Sequence, residues 1–126
     1  MSIPHKTHSP GFLAYVTEVR TRVKEIDIAM YQALPAGEHL LIDVREDHEW
    51  NEGHAQGALH LSKGIIERDI EVTVPDKATK MVLYCGGGYR SALVAEALGK
   101  MGYTGAISLN GGWRAWNEAG LPTEKE

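Results

Sequence analysis

The chain contains a single cysteine, Cys85, among its 126 residues, so no disulfide can form within it. It also lacks an apolar run long enough to cross a bilayer, and residues 1–10 include no hydrophobic signal segment. Lys and Arg are not concentrated in any one stretch, and the net charge is −4, which argues against a nucleic-acid-binding surface. These absences predict a cytoplasmic protein with neither a membrane nor a nucleic-acid partner.

The order of predicted elements indicates the fold class. Short apolar or β-prone runs predict strands at residues 23–26, 40–42, 58–61, 81–84 and 106–109. Between and around them, apolar residues at helical spacing and Gly or Pro stops predict helices at residues 11–22, 28–34, 46–52, 63–70, 91–101 and 113–119. Strands that alternate with helices need crossover connections, which favour a parallel sheet. We therefore expect an α/β domain with a mostly parallel five-stranded sheet and helices on both faces.

The strongest predicted strand and the strongest predicted helix are joined by a glycine-rich loop that starts with the cysteine, Cys85-Gly86-Gly87-Gly88-Tyr89-Arg90-Ser91. We call residues 85–91 the cradle loop. In open α/β sheets the binding crevice lies at the carboxyl ends of the strands, where this loop begins. Glycines allow successive N–H groups to turn toward one point, and a helix N-terminus adds unpaired N–H groups there. The pattern predicts an anion-binding loop that stabilises the ionised form of the Cys85 thiol.

The cradle loop resembles the Cys-x-x-Gly-x-Arg-Ser loop of single-domain rhodanese-like sulfurtransferases. Further segments agree with that family in order and spacing: Leu41-Ile42-Asp43-Val44-Arg45-Glu46, Glu49-Trp50, Gly53-His54-Ala55-Gln56-Gly57-Ala58, Leu109-Asn110-Gly111-Gly112-Trp113 and Ala119-Gly120-Leu121-Pro122. The resemblance covers residues 23–122. It implies an N-terminal extension with a helix at residues 1–22, a rhodanese-like domain at residues 23–122 and a tail at residues 123–126.

This resemblance implies an enzyme, a thiosulfate sulfurtransferase-like transferase with Cys85 as the catalytic nucleophile. Cys85 would take a sulfane sulfur from thiosulfate or a small persulfide, hold it as a persulfide, and pass it to a thiol or cyanide. A protein sulfur acceptor is compatible with the same chemistry. Gly86 and Gly87 carry no charge, whereas family members that use thiosulfate have two cationic residues after the cysteine. No cofactor is implied.

Individual residues of the loop have predicted roles. Gly86, Gly87 and Gly88 form the amide cradle, and we expect a positive φ at Gly87. Tyr89 is expected at the rim of the site, where it would tune substrate access. Ser91 is predicted to be the N-cap of the following helix. Arg90 either attracts anionic donors and supports the thiolate or forms a structural ion pair, with Asp43, Glu46 or Glu49 as candidate partners.

Residues outside the loop also enter the prediction. The resemblance implies that Asp43 and Arg45 tie loops together around the site. His48, His54 and His60 recur every six residues, which matches neither a zinc finger nor a helix-borne metal pair, so they are expected to be surface or loop residues and no metal site is predicted.

Two other functions use the same residues. A phosphatase or arsenate reductase also combines a cysteine with an arginine, but protein phosphatases place five residues between the two. Here four residues, 86–89, separate Cys85 from Arg90, and the narrower loop suits a single sulfur atom. A sulfur carrier or sensor without rapid turnover would have the same chemistry at Cys85, and only kinetics separates it from an enzyme.

Overall fold

The structure is a computed structural model and describes residues 8–125. Its helices are α1 (Pro10–Arg20), α2 (Ile28–Gln32), α3 (Asp47–Asn51), α4 (Ile66–Thr73), α5 (Tyr89–Lys100) and α6 (Gly112–Glu118). Its strands are β1 (Lys24–Ile26), β2 (Leu40–Asp43), β3 (His54–Ala55), β4 (Leu59–His60), β5 (Met81–Tyr84), β6 (Ala106–Leu109) and β7 (Thr123–Glu124). Among the described residues, no helix is long and apolar enough to span a bilayer.

Five strands form one parallel sheet in the order β1-β6-β5-β2-β4. The predicted α/β fold with a five-stranded sheet is therefore confirmed. The strand β5 is the central one of the five. All four of its residues are buried, since helices cover both faces of a parallel sheet. The carboxyl end of β5 consequently opens in the middle of the sheet edge, and there the cradle loop begins.

The two sides of the sheet hold separate cores, and alternation along β5 divides its residues between them. Met81, Leu83 and Cys85 face a cluster that includes Ile66, Ile70 and Leu98, from α4 and α5. Val82 and Tyr84 face the opposite cluster, which includes Trp116 from α6 and Tyr31 from α2. The pleat thus directs the side chain of Cys85 toward α5.

The N-terminal helix α1 packs on the outside of α5. Its buried residues Val16 and Val19 contact Leu93, with Phe12 and Tyr89 at the border of the cluster. Ser9 precedes the helix and Pro10 occupies its first turn, so the helix begins one residue before the predicted start at residue 11. The helix ends at Arg20, two residues earlier than expected, because the chain turns there to enter β1.

Several further local predictions were wrong or incomplete. The helix α4 begins at Ile66 rather than residue 63. His54 is not a surface residue: it is fully buried, stacked on Trp50 with ring centroids 3.4 Å apart, and its Nε2 lies 3.2 Å from Glu124. Residues 123–124 of the predicted tail form β7, which pairs antiparallel with β3. Neither β3 nor β7 was predicted, since strands of two residues carry little sequence pattern.

Candidate functional site

The sulfur of Cys85 lies at the centre of the cradle loop. Two main-chain amides point at it, from Gly88 at 3.1 Å and from Ser91 at 3.4 Å, and the Ser91 hydroxyl oxygen is 3.6 Å away. The side chain is 1% exposed, but Cys85 lines an open cleft. A buried sulfur surrounded by N–H donors is suited to carrying negative charge.

A left-handed glycine starts the helix that follows. Gly88 has φ +108° and is the N-cap of α5, so the helix begins two residues earlier than the sequence predicts. The prediction of a positive φ at Gly87 was therefore wrong, since the left-handed residue is Gly88. A Cβ at Gly88 would also lie 3.2 Å from the Gly111 nitrogen. This close approach joins the cradle loop to the segment before α6.

Ser91 is not the N-cap, contrary to the prediction. It lies inside the first turn of α5, and its hydroxyl is 2.8 Å from the hydroxyl of Ser108 on β6. Both residues are fully buried. Because each hydroxyl has a partner, the start of α5 is fixed to the sheet directly beneath the sulfur of Cys85.

The N-terminus of α6 holds the backbone of the cradle loop. Three successive carbonyls of the loop accept hydrogen bonds from it: Cys85 O from Trp113 N at 2.7 Å, Gly86 O from Arg114 N at 3.1 Å, and Gly87 O from Gly111 N at 3.1 Å. In a trans peptide the N–H points opposite to the preceding C=O. The amides of residues 86, 87 and 88 therefore all face away from α6, and the third reaches the sulfur of Cys85.

The approach of α6 depends on Gly112. Its φ is +47°, and a Cβ built there would clash with the carbonyl oxygen of Cys85. Glycine is the residue that tolerates both the left-handed backbone and the contact. The Gly111-Gly112 pair at the start of α6 thus supports the cradle loop.

Arg90 forms an ion pair, and its partner is Glu49. The guanidinium donates two hydrogen bonds to the Glu49 carboxylate, at 2.7 and 3.1 Å. Burial would raise the pKa of Glu49, but hydrogen bonds from Arg90 and the Glu46 amide outweigh it and lower the pKa to about 2. Hydrogen bonding to Glu49 also raises the pKa of Arg90 against the effect of burial, with a smaller contribution from the negative charge of Cys85.

The structure separates Asp43 and Arg45 from the cradle loop. Arg45 binds the Asp43 carboxylate through Nε and one terminal nitrogen and donates to the Gly53 carbonyl at 2.7 Å. Tyr84 donates to the same carboxylate at 2.5 Å. These three charged or polar side chains are buried on the α6 side of the sheet, opposite Cys85. They tie together the segments after β2 and before β3.

The cleft beside Cys85 has a volume of about 830 Å³. Most of the cradle loop lines it, including Cys85 and Tyr89. Residues from other elements complete the walls: His8, Ser9 and Phe12 at the start of α1, Glu49 from α3, and Arg114 from α6. Sequence reasoning missed the contributions of α1 and Arg114. The only signal for Arg114 was its position two residues after the glycine pair at the start of α6.

Known proteins resemble this chain in sequence and in structure. The family described as Rhodanese-like domain matches residues 29–119. Thiosulfate sulfurtransferase PspE from Escherichia coli K12 is 35% identical over 67% of this chain and 82% of its own length, and YtwF from Bacillus subtilis is 38% identical over 75% and 90%. Among solved structures, a Rhodopseudomonas palustris protein of unknown function, named as a possible tyrosine phosphatase, aligns with a TM-score of 0.78 and 28% sequence identity. The alignment covers 98% of this chain and 100% of the other.

Proposed function

This chain belongs to the rhodanese-like sulfurtransferase family, and on that premise we propose that Cys85 carries a sulfane sulfur from donor to acceptor as a persulfide. The observation that supports this most directly is the set of amides around the cysteine. Gly88 and Ser91 donate to the sulfur, and the N–H groups of Gly86 and Gly87 are turned to the same side by the bonds from α6. An extra sulfur bearing negative charge would find donors already in place.

In the first half of the reaction, the Cys85 thiolate attacks the outer sulfur of a donor such as thiosulfate. A sulfur–sulfur bond forms to Cys85, the original bond of the outer sulfur breaks, and its electron pair leaves with sulfite. Arg114 and the Arg90–Glu49 pair line the cleft, and the positive charge of Arg114 favours the approach of an anionic donor. The cradle loop then holds the persulfide anion.

In the second half, a thiol or cyanide attacks the outer sulfur and Cys85 leaves as a thiolate. The chain has no second cysteine to resolve the persulfide, so the acceptor comes from outside. A small donor and a small thiol of the cytoplasm, or a protein thiol, fit this scheme. The Arg90–Glu49 pair has a positioning role, because two hydrogen bonds to the carboxylate hold the guanidinium in place beside Cys85.

Intact-mass measurement after incubation with thiosulfate tests the proposal. We expect an increase of one sulfur atom, which is lost on addition of cyanide with release of thiocyanate. The Cys85→Ser variant keeps the shape of the site and should show no increase. A stable adduct that cyanide removes only slowly would favour the carrier function over an enzyme.

A phosphatase is the competing function, and the name of the Rhodopseudomonas palustris neighbour makes it worth measuring. The spacing of four residues between Cys85 and Arg90 and the engagement of Arg90 with Glu49 both argue against a phosphate site. Turnover of an aryl phosphate without formation of a persulfide would refute sulfur transfer as the function.

A further inference from the structure

The N-terminal helix α1 contributes to the cleft, and we propose that its first turn selects the sulfur donor. His8 and Phe12 together with Tyr89 form what we call the aromatic wall. This wall favours donors in which the sulfane sulfur is attached to an apolar organic group, an organic thiosulfonate, over inorganic thiosulfate. The inference rests on the proposed function, because it concerns the donor that delivers sulfur to Cys85.

The aromatic wall consists of three rings in mutual contact. The rings of His8 and Tyr89 meet edge to face with centroids 4.5 Å apart, His8 and Phe12 are 5.2 Å apart, and Phe12 and Tyr89 are 6.2 Å apart. Such distances are typical of favourable aromatic pairs. All three residues line the same cleft as Cys85. Three rings in contact therefore give the cleft an aromatic surface.

The position of this wall relative to the sulfur is fixed at both ends of α1. Arg20, the last residue of the helix, lies over the ring of Tyr89 at 4.8 Å and donates to the Gly88 carbonyl at 3.4 Å. Between the two ends, Val16 and Val19 are buried against α5. A wall that is held in place loses little conformational freedom when a ligand packs against it, which favours binding.

The remainder of the cleft suits the anionic part of such a donor. Arg114 and the Arg90–Glu49 pair are also among the lining residues. Beside the cysteine, Gly86 and Gly87 provide N–H groups but no charge. The volume of about 830 Å³ is in the range of sites for organic ligands, roughly 300–1,000 Å³, whereas thiosulfate is a small ion that would fill little of it.

An organic thiosulfonate combines both requirements. The Cys85 thiolate attacks its sulfane sulfur and forms the new sulfur–sulfur bond. The bond between the sulfane sulfur and the sulfonyl sulfur breaks, and the electron pair leaves with the sulfinate. No proton and no further reactant are needed, and the overall charge is unchanged. The organic group stays bound to the leaving sulfinate, so it contacts the wall throughout the step.

Donor kinetics with cyanide as the acceptor test this subsite. In a ping-pong scheme, kcat/KM for the donor reports the first half-reaction alone. For Phe12→Ala we expect kcat/KM with benzenethiosulfonate to fall roughly 3- to 10-fold, in proportion to the loss of one aromatic contact. With thiosulfate it should change less than about twofold, since thiosulfate carries no organic group that could pack against Phe12. Thiosulfate activity thus serves as the internal control for folding.

Two other variants complete the experiment. Tyr15→Ala removes an aromatic side chain from the same helix at a position that is 52% exposed, and the ratio of the two kcat/KM values should equal that of the parent chain. Phe12→Leu retains an apolar side chain against α5, so kcat/KM with benzenethiosulfonate should fall less than in Phe12→Ala. If the alanine variant does not fold, the leucine variant replaces it in the comparison.

The outcomes distinguish this subsite from the proposed function. An equal fall with both donors would make Phe12 merely structural, and no change with either would remove it from the site; both refute the inference while sulfur transfer stands. If the parent chain releases thiocyanate from neither donor, the proposed function fails and the subsite fails with it.

Discussion

The ion pair between Glu49 and Arg90 gives a stability prediction with a defined pH dependence. In the parent chain the main-chain N–H of Glu46 donates to the Glu49 carboxylate at 3.0 Å. In Glu49→Gln the side chain keeps nearly the same shape, and its amide oxygen can still accept this hydrogen bond. What the substitution removes is the negative charge opposite the guanidinium. The loss should therefore appear as an electrostatic term and not as a packing defect.

The magnitude follows from the pKa. The pKa of Glu49 falls from 4.5 to about 2 in the folded chain, a difference that corresponds to about 3 kcal/mol at 1.36 kcal/mol per unit. The two side chains are 28% and 24% exposed, so solvent screens part of this interaction. We expect Glu49→Gln to lower the free energy of unfolding by about 1–2 kcal/mol near neutral pH.

The sign of the pH dependence follows from the direction of the shift. Since the pKa of Glu49 is lower in the folded state, its stabilisation is complete above about 4.5 and disappears as the pH falls toward 2. The difference in stability between parent and variant should shrink over that window. Urea unfolding followed by tryptophan fluorescence at several pH values measures it.

A matched control is available on the same helix. Glu52 is exposed at the end of α3, and Glu52→Gln should change the stability by less than about 0.5 kcal/mol at any pH. A difference between the parent and Glu49→Gln that stays constant from neutral pH down to about pH 3 would refute the assignment of the stabilisation to charge.

Three further predictions concern the packing around the site and are measured by urea unfolding. Gly112→Ala should lower the free energy of unfolding by about 2–4 kcal/mol and remove most of the sulfurtransferase activity, because its Cβ meets a carbonyl of the cradle loop. Gly99→Ala has open space in α5 and should be neutral or stabilising by up to about 1 kcal/mol. Equal effects of the two substitutions would contradict the contact at Gly112. Ser91→Ala should cost about 1–3 kcal/mol by leaving the buried Ser108 hydroxyl without its partner, and adding Ser108→Ala should recover part of the loss; strict additivity would speak against the pair. Tyr84→Phe should cost about 1.5–3 kcal/mol by removing a hydrogen bond to a buried carboxylate without lowering kcat, since Tyr84 faces away from the sulfur; a large fall in kcat at retained stability would show otherwise.

Much of the fold could be predicted because the signals are local. The strands at residues 81–84 and 106–109 were predicted with the observed bounds, since short, mostly apolar runs that end at a glycine-rich turn identify buried parallel strands. Helix starts were less certain, because a cap depends on backbone geometry. Gly88 begins α5 in a left-handed conformation, and a serine two residues into the helix gave the more familiar sequence signal for a cap.

The sequence by itself determined which residue carries the sulfur chemistry we propose, since it has one cysteine, and that cysteine joins the best strand to the best helix through three glycines. Only the tertiary structure decided what surrounds it. Arg90 pairs with Glu49, α6 supports the cradle loop, and α1 contributes to the cleft. Each of these contacts is between residues that are distant in sequence. Such contacts depend on how the elements pack, and local patterns record which face of an element is buried but not which neighbour covers it.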